Sequence, residues 1–258
     1  MRITTWNVNS LTARLQHVLD WLAANPVDVL CLQELKLTDD KFPLMELQAA
    51  GYEHCAVFGQ KTYNGVAIVS RAPLREVVRN IVGFQDDASR VIAATVDHPE
   101  GDIRVINGYF VNGQAPGTDK FAYKMNWLAG LQRYVAAEMQ RHPRLVLLGD
   151  FNVAPQDRDS YDPVGLRETI HHTTAERDHF KALLGLGLVD SFRLFEQPEK
   201  SYSWWDYRML GYQKNRGLRI DHILVSEALR PAVKSCAIDR TPRKWKQPSD
   251  HAPVTVDL

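Results

Sequence analysis

The chain has 258 residues, 45% of them hydrophobic, and Lys+Arg and Asp+Glu balance at 31 each, so the formal net charge is zero. A zero balance excludes polyanion binding driven by excess charge alone, so any nucleic-acid surface must come from local segregation of basic residues. No apolar run approaches the roughly 20 residues that span a bilayer, and the start, Met1-Arg2-Ile3-Thr4-Thr5-Trp6-Asn7, lacks the apolar stretch of a signal peptide, so no membrane partner is expected.

The hydrophobic pattern predicts a strand over Ile3–Val8 and a helix over Leu11–Ala24, with Leu11, Leu15, Val18, Leu19 and Leu22 on one face. Asn25-Pro26 stops that helix, and Val27–Leu32 follows as a buried strand. Within it, Cys31 reads as a free buried thiol; with Cys55 and Cys236 it forms no metal spacing, which fits a reducing cytoplasm. Phe42–Ala50 reads as a shorter helix closed by Gly51. Strands are expected at Glu53–Phe58, Gly65–Ser70, Val91–Asp97 and Ile103–Phe110, and the longest helix at Phe121–Gln140. Leu145–Leu148 is a further strand, ending in Gly149-Asp150-Phe151-Asn152. Ala154–Thr174 is polar, proline-containing and aperiodic, a long loop of the kind that usually carries function. A helix over Glu176–Leu186 and strands near Tyr202–Tyr207, Leu218–Val225, Ala232–Ile238 and Val254–Asp257 complete the chain. With no repeat, low-complexity stretch or linker-like break, residues 1–258 read as one α/β domain whose helices cover two sheets.

The chemistry is carried by where the acids fall. Glu34 follows one apolar strand, Asp150 follows another, Asp221 interrupts Leu218–Val225, and Asp250-His251 precedes the last strand. Asn7 and Tyr109 end strands, and Asn152 trails Asp150. Taken singly, each acid could be a helix cap or turn former, Tyr109 a core aromatic and His251 a structural histidine. Together, several acids and amides with one His and no Cys cluster match hard oxygen-ligand chemistry, Mg²⁺ or Mn²⁺ rather than zinc. Glu34 is the candidate direct ligand and Asp250 a second or water-mediated one. Asp221 is the candidate partner that orients or charges His251, and Asp150 the candidate base for an attacking water.

The segments Trp6-Asn7-Val8-Asn9, Gln33-Glu34-Leu35-Lys36, Tyr63-Asn64-Gly65-Val66-Ala67, Gly149-Asp150-Phe151-Asn152, Gly217-Leu218-Arg219-Ile220-Asp221-His222 and Pro248-Ser249-Asp250-His251-Ala252-Pro253-Val254 together resemble the exonuclease III/AP endonuclease family, in family order over residues 6–254. The resemblance implies a four-layered α/β sandwich, two sheets face to face with helices outside. It implies that Glu34, helped by Asn7 and Asp250, binds the metal, that Asp150 activates water, and that Asn152 and Tyr109 contact phosphate. It further implies that His251 pairs with Asp221 and faces the scissile phosphate, and that Asp150, Asn152 and His251 lie within reach of the metal. The implied reaction is cleavage of double-stranded DNA 5′ to an abasic site, or release of a 3′ nucleotide or 3′ block, by a monomer.

Trp204, Leu218 and Ile220 occupy positions resembling the family's abasic-sugar pocket, and Arg90 and Asn112 positions that contact DNA. Two acid-free stretches, with Arg208, Lys214, Arg216 and Arg219 and with Arg240, Arg243, Lys244 and Lys246, interleave Tyr212 and Trp245 and are expected to straddle the duplex. The chain departs from the family at Val111, where proline is common, and in the loop Pro163–Thr174, where Leu166 and Glu168 replace a Trp and a small Gly. His171 and His172 then stand side by side, and either is expected to restrict an extrahelical sugar and favour 3′-end trimming. Two other readings are a phosphodiesterase of the wider superfamily acting on another substrate and a non-catalytic DNA-binding module. The DNA-branch segments argue against the first, and the full set of acids against the second.

Overall fold

The computed structural model describes residues 1–258. In chain order it contains β1 (Arg2–Asn7), α1 (Leu11–Ala24), β2 (Val29–Gln33), α2 (Leu44–Ala49), β3 (His54–Phe58), β4 (Val66–Ser70), β5 (Leu74–Arg79), β6 (Val91–Val96), β7 (Ile103–Tyr109), α3 (Asp119–Arg141), β8 (Leu145–Asp150), α4 (Thr174–Gly185), β9 (Leu188–Asp190), β10 (Trp204–Trp205), β11 (Gly217–Leu218), β12 (Asp221–Ser226), β13 (Ser235–Ile238) and β14 (Val254–Asp257). No helix is long and apolar enough to cross a membrane.

Two six-stranded sheets form, ordered β13-β14-β1-β2-β4-β3 and β5-β6-β7-β8-β12-β9. Each holds one parallel pair, β1 with β2 and β7 with β8; such a pair needs a crossover, which α1 and α3 supply. The inner strands β1, β2, β4, β6, β7, β8 and β12 are buried on both faces. Along β2, Val29 and Cys31 share a core with Ile92, Val105, Val146 and Ile223 of the opposite sheet, whereas Leu30 and Leu32 pack under α1 and α2 with Trp21, Leu22 and Leu47. On the other side α3 and α4 cover the second sheet through Trp127, Leu131, Phe180 and Leu183. The result is the expected four-layered sandwich of helix, sheet, sheet and helix. Each large apolar side chain so buried contributes roughly 1.5–3 kcal/mol, and a one-residue slip would reverse every face, so the register is strongly fixed.

Several expected elements differ in extent. β5 was not anticipated: its Arg75, Glu76 and Arg79 are the charges that protect a sheet edge, and they mask the strand pattern. The predicted strand Leu218–Val225 is broken at Arg219-Ile220, so that Gly217–Leu218 pairs with β10 while Asp221 opens β12 in the large sheet. The strand near Tyr202–Tyr207 shrinks to Trp204–Trp205, and a 3₁₀ turn at Arg230–Ala232 takes the start of the one expected at Ala232–Ile238. The helix at Thr174–Gly185 begins in a capping box, with Thr173 and Glu176 each accepting from the other's backbone N–H.

The topology gathers strand ends at one rim. Asn7 faces Gln33 at the close of the first parallel pair, Tyr109 faces Asp150 at the close of the second, and Asp221 opposes Asp150 across an antiparallel pair. Between the sheets, the buried Gln33 amide donates to Asn107 Oδ1 at 2.7 Å and to Thr5 Oγ1 at 2.9 Å. Asn107 in turn donates to the carbonyls of Leu32 and Ala67 at 2.9 Å. These hydrogen bonds pin the sheets together beneath that rim, with Gln33 Oε1 left without a partner.

Candidate active site

At the rim, Asn7 Nδ2 donates to Glu34 Oε1 and to Asp150 Oδ2, both at 2.9 Å, and so ties an acid of each sheet to one amide. Asp150 Oδ1 accepts the Asn152 N–H at 3.0 Å. Glu34 and Asn152 both sit at positive φ, 54° and 51°, conformations that cost a non-glycine residue energy and that cluster at functional sites. Gly149 permits the tight entry to Asp150: its φ is 139°, and a Cβ there would collide with the Gly108 carbonyl of the neighbouring strand.

His251 Nδ1 lies 2.9 and 3.0 Å from the two carboxylate oxygens of Asp221. An ionised carboxylate only accepts, so Nδ1 carries a proton, and Nε2 is left 3.6 Å from Asp150 Oδ2. Burial opposes charge on this imidazole, but Asp221 and Asp150 outweigh it and push the pKa up to about 10. Asp150 moves the other way for a carboxyl to hold charge: burial, with Asp221 and Glu34 nearby, raises it to about 7 against the pull of His251.

Glu34, Asp150 and His251 each offer a ligand atom within 4.8 Å of the others. Oxygen donors dominate this set, and the amides of Asn7 and Asn152 adjoin it, which fits a hard divalent cation. Asp250 stands apart from the trio, its oxygens taken by Asn9 Nδ2 at 3.0 Å and Trp204 Nε1 at 2.9 Å. Lys36 Nζ reaches Glu34 Oε2 at 2.9 Å and Asn9 Oδ1 at 2.5 Å.

Tyr109 borders the same acids. Burial, then Glu34 and Asp150, hold its phenol well above the ordinary value, so it remains a donor. The Arg90 guanidinium lies over the Tyr109 ring at 5.2 Å. Asn112 Nδ2 donates to Asn152 Oδ1 at 3.3 Å, and Asn152 Nδ2 to the Phe110 carbonyl at 3.0 Å. The structure thus brings Asn7, Glu34, Tyr109, Asp150, Asn152, Asp221 and His251 into one cluster, with Arg90 and Asn112 at its edge.

Beside it opens a cleft of about 310 Å³, walled by Leu166, Ile170, His171, His172, Trp204 and Leu218. Ile220 does not line it but packs beneath, with Ala154 and Leu218. The two histidines differ. Both ring nitrogens of His172 are engaged, with the Ile170 carbonyl and Ser160 Oγ at 3.0 Å. His171, at φ 70°, uses only Nδ1, which donates to the Asn152 carbonyl at 2.7 Å.

The basic stretches are corrected in part. Arg219 is buried, bonded to Asp159 and Asp190, because the chain dives inward between β11 and β12. Arg243 is buried against Trp205, Tyr207 and Tyr212, and Trp245 packs on His17. Arg208, Lys214, Arg216, Lys244 and Lys246 remain exposed. Sequence reasoning gave no role to Lys36 or Asn9, which brace Glu34 and Asp250, or to Lys124. For Lys124 a signal existed: Lys124, Trp127, Leu128, Leu131, Tyr134, Val135 and Glu138 share the buried stripe of α3, an improbable place for two charges without a partner.

Residues 4–251 match the Endonuclease/Exonuclease/phosphatase family. Exodeoxyribonuclease III of Haemophilus influenzae is 34% identical over 271 aligned positions, covering 100% of both chains. A 3′ phosphatase from Neisseria, solved bound to a product DNA hairpin, has a TM-score of 0.96 and 52% identity, covering 100% of this chain and 99% of that one. An AP endonuclease from Archaeoglobus fulgidus gives 0.94 and 35%, with the same coverage. The chain therefore belongs to the endonuclease/exonuclease/phosphatase family, in the branch of exodeoxyribonuclease III and the AP endonucleases.

Proposed function

We propose that this chain is a Mg²⁺- or Mn²⁺-dependent DNA-repair phosphodiesterase, acting as a single-domain monomer in the cytoplasm on abasic sites or 3′ ends of duplex DNA. The observation that carries this reading is the meeting of Glu34, Asp150 and the Asp221–His251 pair in one cluster. Glu34 and Asp150, with Asn7, Asn152 and Asp250 around them, would hold the cation, which when bound neutralises charge on the phosphate; His251 lies within reach of the same atoms, but a charged imidazole has no lone pair to give a metal. Asp150, with its carboxyl near neutrality, takes the proton of the attacking water. His251, kept charged and aimed by Asp221, faces the phosphate where negative charge accumulates. Tyr109 and Asn152 donate to the phosphate oxygens. Arg90, Asn112 and the exposed basic residues grip the flanking backbone, so raising salt weakens binding steeply.

The cleft beside the acids suits a terminal or extrahelical sugar, with Trp204 and Leu218 as its apolar wall. His171 narrows it where the loop resembles the family least, which favours 3′-end removal over abasic-site incision. His172, held at both nitrogens, shapes the loop instead.

The test is hydrolysis of three duplexes, carrying an abasic site, a recessed 3′ end or a 3′ phosphate, with and without EDTA. Cleavage of the 3′-phosphate and 3′-end duplexes that vanishes with EDTA and returns with Mg²⁺ or Mn²⁺ is expected. Metal-independent turnover, or no turnover of any of the three, overturns the proposal. His171→Gly should move the ratio toward abasic-site incision, by about tenfold if one side chain's bulk decides it; an unmoved ratio removes His171 from specificity.

A further inference from the structure

Helix α3 places Lys124 on its core-facing stripe, where the side chain is fully buried. Its ammonium donates to three acceptors, the Asn152 carbonyl at 2.8 Å, the Asn112 carbonyl at 3.1 Å and the Glu176 carboxylate. Glu176 is buried as completely and also receives the His171 N–H at 3.1 Å, besides Thr173 N and Oγ1 at 3.1 and 2.8 Å. His171 Nδ1 returns to the same Asn152 carbonyl. One ammonium therefore ties together the loop after β7, the loop after β8 and the loop that enters α4. Little slack is left around it: a Cβ on Gly113 would lie 2.8 Å from Lys124 Cδ and 3.3 Å from Ile170 Cδ1.

A buried ion pair is a poor way to gain stability, since apolar groups of similar volume often serve as well or better. Two of the three acceptors here are main-chain carbonyls of residues at the edge of the cleft, and the third holds His171. We propose that Lys124 is a positioning residue for phosphodiester hydrolysis, setting the Asn152 amide beside Asp150 and fixing its distance from the His171 wall. The proposal rests on the reading above that Asn152 and His171 face the substrate. Without the ammonium, the Asn112 and Asn152 carbonyls lose a buried donor and the loops can part. A displacement of about 1 Å at a reacting centre can lower the rate on the order of 100-fold.

The test is the Lys124→Met/Glu176→Gln variant. It removes both charges at once, so neither is left buried alone, and glutamine still completes the capping box of α4. A native circular-dichroism spectrum is expected, with a thermal midpoint lowered by the two carbonyls left without a donor and still well above the assay temperature. On the 3′-phosphate duplex kcat should fall about 30-fold while KM stays within about twofold, and the ratio of 3′-end to abasic-site cleavage should move toward abasic sites. Glu176→Gln alone leaves the lysine on both carbonyls; it should lose the smaller part of kcat but shift the ratio in the same direction. Wild-type kcat and ratio in both variants overturn the proposal. So does a loss in the double variant that appears only as a lowered melting midpoint, with the kcat of the folded fraction intact. If His171→Gly leaves the ratio unmoved while the double variant still loses kcat at constant KM, the specificity reading fails and the positioning of Asn152 stands.

Discussion

Asp221 and His222 are neighbours on β12, point to opposite faces of the strand and end in two buried charge clusters of opposite character. On one face Asp221 meets His251, with Asp150 and Glu34 close by, and the imidazole is held charged, its pKa pushed up to about 10. On the other, His222 sits among Arg219, Asp159 and Asp190. Burial and then Arg219 push it down to about 4, so that it is neutral. The second cluster closes on itself. Arg219 bonds both carboxylates, Arg193 adds a second guanidinium to Asp159, and neutral His222 accepts from Arg219 while donating to the Val153 carbonyl at 3.0 Å. The first does not close: three carboxylates face one imidazole and the partly exposed Lys36, an imbalance that a divalent cation together with the anionic phosphate of a substrate would close. Of these two clusters, the one whose signs fail to balance lies at the candidate site, and the one that balances ties the chain between β11 and β12 to its neighbours.

Asp150→Asn should produce the largest effect. It removes the proton acceptor and one acid of the unbalanced cluster, so single-turnover cleavage should fall at least about 10³-fold. Stability should hold or rise, because a carboxyl that burial disfavours has gone. A variant that keeps more than about a tenth of the rate would remove Asp150 from proton transfer. Arg219→Leu addresses the balanced cluster. It strands Asp159 and Asp190 without their guanidinium and should lower unfolding stability by about 3–5 kcal/mol in urea titrations. A loss below about 1 kcal/mol would show that this network does not hold the loop to β12.

How far the sequence discloses these two clusters follows from their chemistry. The site acids each close or open an apolar strand, and that pattern survives in one dimension, so Glu34, Asp150, Asp221 and His251 could be picked out before any fold was known. Arg219 lies in the same segment as Asp221 and was assigned to the DNA surface, because a string of basic residues does not say which of them turns inward. The break at Arg219-Ile220, which hands the chain from β11 to β12, exists only through pairing with β10 and β8. Lys124 differs: its place on the apolar stripe of α3 marks it as buried, but its partners, on two loops and in the first turn of α4, lie too far away in sequence to be named from it. Asp250 belongs to the same motif as His251, and its oxygens accept from Asn9 and Trp204, contacts that a one-dimensional pattern does not show.

The pH response of stability should separate the two histidines by the smallest but most specific effect. In the unfolded chain His222 titrates near its ordinary 6.5, and in the folded chain burial and Arg219 hold it near 4. Between those values the unfolded state binds more protons, so stability from this residue is complete above about pH 6.5 and is lost as the pH falls toward 4. The loss is on the order of 3 kcal/mol over that window. Protonation would also turn the acceptor at Nδ1 into a second donor facing the Arg219 guanidinium, so the balanced cluster would acquire one cation too many. Other carboxylates and histidines titrate in the same window, and a His222→Gln variant isolates the term because its amide cannot take up a proton there. Urea unfolding of both proteins at about pH 7, 5.5 and 4.5 should give curves that converge as the pH falls, the wild type losing its advantage. Parallel curves would mean that His222 titrates alike in the folded and unfolded chains, and a wild type that gains on the variant as the pH falls would mean that it is charged when folded; with either result the distinction between a closed and an open cluster would fall.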